Sequence, residues 1–250
     1  MRLLKALSVA LLAAGLGAVL VPGVVIADGG SVANHVVISE VELDDSEWVE
    51  LYNPTDSDVN IDEWYWCYYS SGSDWNDPDN HKALEGSISA ESFFLLRIDG
   101  PVASPDWNTG YSSNPNTLND SDGSVGIFTS DPADAEDVTN AKDLKKDVVA
   151  WGSVNHVKET AEASAPGAGE SLQRKISDTQ DEDSYGPAWD TDDNSNDFFI
   201  QDSPNPQNSD SEPMAPVPDL PAIILFSLGL LALGGYIWFG KRRELATCDS

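Results

Sequence analysis

Oxygen-bearing side chains alternate along Asp190-Thr191-Asp192-Asp193-Asn194-Ser195-Asn196-Asp197, a spacing that suits a hard cation. Calcium takes roughly 6 to 8 oxygen ligands at about 2.3 to 2.6 Å, usually from a tightly turned loop. Asp190, Asp192, Asn194 and Asn196 are the candidate ligands. Ser195 stands where an EF-hand loop needs Gly, and Gln201 where it needs the bidentate Glu. The competing reading, an acidic turn ahead of a last strand, is therefore the favoured one. A weaker group is Asp74, Asp77, Asp79 and Asn80, interrupted by Pro78.

Catalytic chemistry finds less support. With 43 Asp and Glu among 250 residues, acid pairs arise by chance and carry no signal for general acid and base work. His35, His81 and His156 share no metal-ligand spacing. No Gly-x-Ser-x-Gly elbow occurs, and no glycine-rich phosphate loop. The expectation is a chain that is not an enzyme and holds no cofactor, with calcium at the acidic loop as the one exception to test. The single sequon, Asn119-Asp120-Ser121, lies in a loop, where chance alone produces such triplets.

The 43 acidic residues face only 13 Lys and Arg, a formal net charge of −30. Such a field repels phosphates, so nucleic acid is excluded as a partner. Acids spread along the whole chain fit solvation in high salt, where the Debye length falls to about 3 Å at 1 M. Of two cysteines, Cys67 sits in an aromatic run and Cys248 near the end, so there is no disulfide framework.

The elements that must position any site are short. Alternating or continuous apolar runs predict strands over 36–43, 47–53, 64–70, 92–98, 124–129, 147–151, 170–175 and 197–200. None has a helical period. Eight short strands with turn signals between them predict an all-β antiparallel sandwich over 35–208. In the second strand Val49 and Leu51 are expected inside, with Glu50 facing solvent; Val59 and Ile61 resume the apolar set and Asp62 faces out. In Trp64-Tyr65-Trp66-Cys67-Tyr68-Tyr69, alternation separates two aromatic sets, of which at least one is core. Function is expected on the longer loops 71–81, 101–122 and 131–146.

Both flanks carry targeting signals. Arg2 and Lys5 precede an apolar stretch from Ala6 to Val21, and Val25-Ile26-Ala27 ends it, so residues 1–27 read as a signal peptide and 28–34 as the mature arm. An uncleaved anchor is the alternative, disfavoured by Gly15, Gly17, Pro22 and Gly23. Residues 209–220 read as a semi-extended Pro/Ser/Asp spacer and 221–240 as one transmembrane helix, since a bilayer needs about 20 apolar residues. Lys241, Arg242 and Arg243 open a basic tail, 241–250, that stays cytoplasmic and leaves 28 to about 218 outside.

Several motifs resemble the lamin tail domain, an immunoglobulin-like sandwich. They are Val36-Val37-Ile38-Ser39-Glu40-Val41, the run from Glu47 to Asp62, Trp64, Asp147-Val148-Val149-Ala150-Trp151-Gly152, Glu170-Ser171-Leu172-Gln173-Arg174-Lys175, and Asp197-Phe198-Phe199 with Ser203-Pro204. The C-terminal arrangement of Pro218-Asp219-Leu220-Pro221, an apolar helix and Lys241, Arg242 and Arg243 resembles archaeal PEF-CTERM sorting signals, in which Pro-Glu-Phe stands at 218–220. These resemblances imply a secreted cell-surface binding or structural module, with an envelope protein or glycan partner and an archaeosortase-type processing enzyme. An ordinary single-span anchor remains the alternative for the C-terminal segment. A calcium-dependent adhesin, or an accessory domain of an extracellular hydrolase system, remains the alternative function.

Overall fold

The computed structural model describes residues 31–44, 46–110, 117–178 and 185–217. The stretches expected as signal peptide (1–27) and transmembrane helix (221–240), and the expected sorting residues Pro218, Asp219, Leu220, Pro221, Lys241, Arg242 and Arg243, lie outside the described residues. Among the described residues no helix is long and apolar enough to cross a membrane.

The strands are β1 Ser31–Val32, β2 Val37–Glu42, β3 Trp48–Asn53, β4 Val59–Asn60, β5 Tyr65–Tyr69, β6 Asn80–Ala83, β7 Ser87–Ile88, β8 Ser92–Arg97, β9 Trp107–Asn108, β10 Gly123–Phe128, β11 Lys145–Trp151, β12 Ser171–Arg174, β13 Trp189–Asp190 and β14 Phe198–Gln201. Two short helices, α1 Val138–Asp143 and α2 Asn194–Asp197, interrupt them. All eight expected strands are present, and two sheets dominate. One runs β14-β12-β2-β3-β8-β9 and the other β11-β10-β5-β6. Pairing is antiparallel throughout the two sheets except between β8 and β9.

The alternation that predicted the strands also builds the core. Val41, Val49, Leu51, Phe94, Leu96 and Leu172 of the larger sheet meet Trp66, Tyr68, Val125, Ile127, Val149 and Trp151 of the smaller in one buried cluster. Each such side chain contributes roughly 1.5–3 kcal/mol of transfer free energy, which is what holds the two sheets face to face. The molecule is thus a β-sandwich. The second aromatic set is buried as well: Cys67 and Tyr69 pack with Trp75, Phe128, Val148 and Val157 beneath α1, in a satellite core on the far side of the smaller sheet. A strand covered on both faces needs no polar alternate, which accounts for the unbroken aromatic run.

Glu50 is not solvent-facing. It is 1% exposed, and every residue of β2 and β3 is buried. The cover is residues 203–217, much of which composition alone reads as a free spacer. After β14 this segment turns over the end of the larger sheet and descends its outer face as a strap. Gln207 N donates to Glu50 Oε2 at 2.5 Å, Ser209 binds Asp106 through both its amide and its hydroxyl, and Asn208 Nδ2 donates to Ser104 O at 2.9 Å. Further down, the Tyr52 hydroxyl donates to Met214 O and Met214 N donates to Glu91 O at 2.8 Å.

The strap ends beside the N-terminal arm. Ala33 N donates to Ala188 O at 2.8 Å, and Gly186 N to Ala215 O at 2.9 Å, so both ends of the described chain meet the 186–190 segment. Gly186 is required there, because a Cβ would lie 2.1 Å from the Tyr52 hydroxyl. This is the end of the sandwich where Tyr52, Asn53 and Val37 lie. Residues 43, 44, 46 and 47, the loop 70–79, and the stretches 98–110 and 117–122 gather at the opposite end: Thr117 N and Leu118 N donate to Glu47, and Asn119 N to the Tyr68 hydroxyl. Of the three expected functional loops, 71–81 and the described residues of 101–122 open at this far end, whereas 131–146 follows Phe128 at the end that carries Ser31 and residue 217.

Candidate functional site

A dense charged group surrounds Arg174, which ends β12 and is fully buried. Its Nη2 donates to Asp147 Oδ2 at 2.6 Å, its Nε to Ile38 O at 2.7 Å and its Nη1 to Trp189 O at 2.9 Å, with Asp190 Oδ1 3.6 Å away. The guanidinium also lies 4.6 Å from the centre of the Phe198 ring. Burial works against its charge, but the fields of Asp147, Asp190, Glu159 and Asp197 outweigh that and raise its pKa. Lys145 joins the group through Glu159 at 2.6 Å and Asp192 at 3.2 Å.

Within this group Glu159, Asp190 and Asp197 each bring a carboxylate oxygen within 4.8 Å of the others, a spacing that could hold a metal ion. Those carboxylates already have donors. Glu159 accepts from Lys145 Nζ and from Asn194 Nδ2 at 2.9 Å; Asp197 accepts from Thr191 N, Thr191 Oγ1 and Asp193 N. Burial, then the field of Asp147, pushes Glu159 up to about 8 despite Lys145. With Lys145 and Arg174 set among these acids, the arrangement is that of a charged structural knot tying β11, β12 and α2 together.

The four calcium candidates do not converge. Asn194 is buried and committed: its Oδ1 accepts from Ala150 N at 2.9 Å while its Nδ2 serves Val148 O and Glu159. Asn196 Nδ2 donates to Asp193 Oδ2 at 3.0 Å, and exposed Asp192 reaches Lys145. Only Asp190 sits in the carboxylate trio. The cause is local: Asp193 caps α2 by accepting from Ser195 N, and the helical turn so begun rotates Asn194 inward. Glu159 and Asp147 come from other strands and loops, so no local pattern announces them. In the weaker group, Asp79 Oδ2 accepts from Ser70 N and Ser73 Oγ, both at 2.6 Å, and braces its own loop. The histidines lie apart, His35 by Asp190 at 3.7 Å and His81 by Asp131 at 3.4 Å.

A second buried acidic pair was not foreseen. Glu40 and Glu50 are cross-strand partners on the outer face of the larger sheet, each 1% exposed. Glu40 Oε1 accepts from Ser171 Oγ, Gln201 Nε2 and Asn205 N; Glu50 accepts from Ser39 Oγ at 2.6 Å and from Gln207 N. No cation is among these partners. Burial raises Glu40 to about 7, and burial together with Glu40 lifts Glu50 well above the usual carboxylate range.

No family model matches the chain, and no curated protein matches it. Among solved structures, it is similar to a DUF4876 family protein from Bacteroides thetaiotaomicron, with a TM-score of 0.50 and 11% identity over 74% of this chain and 75% of that one. The likeness concerns the fold alone.

Proposed function

We propose that the chain is a non-enzymatic cell-surface module: an immunoglobulin-like sandwich of the lamin-tail type, tethered to the membrane at one end and binding an envelope protein or glycan at the other. The observation that carries this reading is the convergence of Ala33 and Ala215 on the 186–190 segment. A membrane segment at 221–240 then leaves the domain from a single pole, and the loop 70–79 with the stretches 98–110 and 117–122 faces away from it. The strap makes the stem short, because residues up to 217 are taken up by the domain. Processing by an archaeosortase-type enzyme at Pro218-Asp219-Leu220-Pro221 would exchange one tether for another without altering this geometry.

The test is retention of the purified exterior domain on the cell-envelope fraction. Replacing 71–78 with a Gly/Ser loop of equal length should abolish retention, and replacing 132–137 should not. Equal retention of both variants overturns the polar arrangement. Mass spectrometry of the native C-terminus separates sorting from anchoring, since an intact peptide containing Cys248 on the mature protein rules out cleavage.

A further inference from the structure

We propose that Asn119 is a site of N-linked glycosylation, an inference that rests on the exterior placement proposed above. The triplet Asn119-Asp120-Ser121 satisfies the acceptor rule, a hydroxyl two residues after the asparagine with no intervening proline. Asn53-Pro54-Thr55 shows what fails: proline intervenes, Asn53 is fully buried, and its Nδ2 is spent on the carbonyls of Ser57, Ile88 and Ser89.

At Asn119 the opposite holds. Asn119, Asp120 and Ser121 are all exposed. The backbone beneath them is fixed: Asn119 N donates to the Tyr68 hydroxyl at 3.2 Å, its carbonyl accepts from Trp151 Nε1 at 2.8 Å, and Ser121 O packs so closely on Gly152 that a Cβ there would lie 2.0 Å from it. The side-chain oxygen of Asn119 is held by Ser121 N at 2.8 Å and Asp122 N at 3.2 Å. That leaves Asn119 Nδ2 and the Ser121 hydroxyl, the two groups that transfer chemistry needs, without a hydrogen bond to any described residue. Their position at the far end, away from both termini, gives a bulky glycan room.

The donor class is an oligosaccharide carried on a lipid phosphate. Nδ2 attacks the anomeric carbon, the new N–C bond forms as the C–O bond to phosphate breaks, the lipid phosphate departs with the electron pair, and the amide proton passes to a base of the transferase. No oxidant or reductant is needed.

The full chain recovered from its native envelope provides the test. Trypsin releases the peptide following Arg97 and ending at Lys142, in which Asn119 is the one sequon. The expected result is a sugar-mass increment on Asn119, lost in N119Q and in S121A and kept in S121T. S121A removes no side-chain hydrogen bond among the described residues, so its loss of the increment is not a folding effect. An unmodified peptide, or an increment that persists in N119Q, overturns the proposal. In parallel, a membrane-impermeant amine reagent is applied to intact cells. A labelled but unmodified chain overturns glycosylation and leaves the exterior reading standing; an unlabelled chain overturns both.

Discussion

Glu40→Gln isolates the electrostatic cost of the pair beneath the strap. A carboxyl raised from 4.5 to about 7 by burial holds its proton longer in the folded than in the unfolded chain. Its contribution is therefore fully present below pH 4.5 and is lost as pH rises through about 7. At 1.36 kcal/mol per pH unit, that shift corresponds to about 3 kcal/mol. The Gln side chain keeps the carbonyl acceptor for Ser171, Gln201 and Asn205 and has no charge to desolvate. Urea unfolding of residues 28–217 at constant ionic strength should find the variant near wild type at pH 4.5 and more stable by up to about 3 kcal/mol at pH 8. The difference between the two proteins is the diagnostic quantity, because Glu47 is also raised to about 7 by burial and titrates in the same window. A difference that stays constant from pH 4.5 to pH 8 would refute the reasoning.

Arg174→Met should be far more damaging, since it leaves buried Asp147 without its cation at 2.6 Å; about 3–5 kcal/mol is expected, read from the denaturant midpoint. Tyr52→Phe should cost about 1 kcal/mol and, more tellingly, accelerate amide hydrogen exchange at Met214 and Gly186 while sparing β10 and β11. Millimolar calcium should raise the melting temperature no more than sodium of equal ionic strength, because Lys145, Asn194 and Thr191 already occupy the carboxylates of the trio.

What the sequence made legible is the set of strands whose apolar residues meet across the sandwich. β2, β3, β8 and β10 announce themselves through Val, Ile, Leu and Phe at burial positions. The strands that escaped notice are two residues long or polar, as in Asn80-His81-Lys82-Ala83, where pairing with β5 and not composition sets the conformation. Glu50 was misplaced for a related reason. The strap over it is Pro, Asn and Ser in character and docks through amides and hydroxyls, a chemistry with no hydrophobic period to read. The charged knot was half visible: Asp190 and Asp197 share one segment, while Glu159, Asp147 and Arg174 reach them only through the fold.

The strap also governs how the domain would bear load. In a chain held by its C-terminal segment, tension enters at residue 217, beside the Gly186–Ala215 and Tyr52–Met214 hydrogen bonds. The strap descends toward that point from the far end of the sheet, so a pull there runs along it and loads its contacts with Glu50, Asp106, Glu91 and Tyr52 together, in shear. Residues 203–217 have a contour of roughly 50 Å at about 3.4 Å per residue, and release would add only what exceeds the stretch of sheet face they already span. The strap is then a clamp as well as a cover: a pull on the stem must slide it off the sheet face before the load reaches β14.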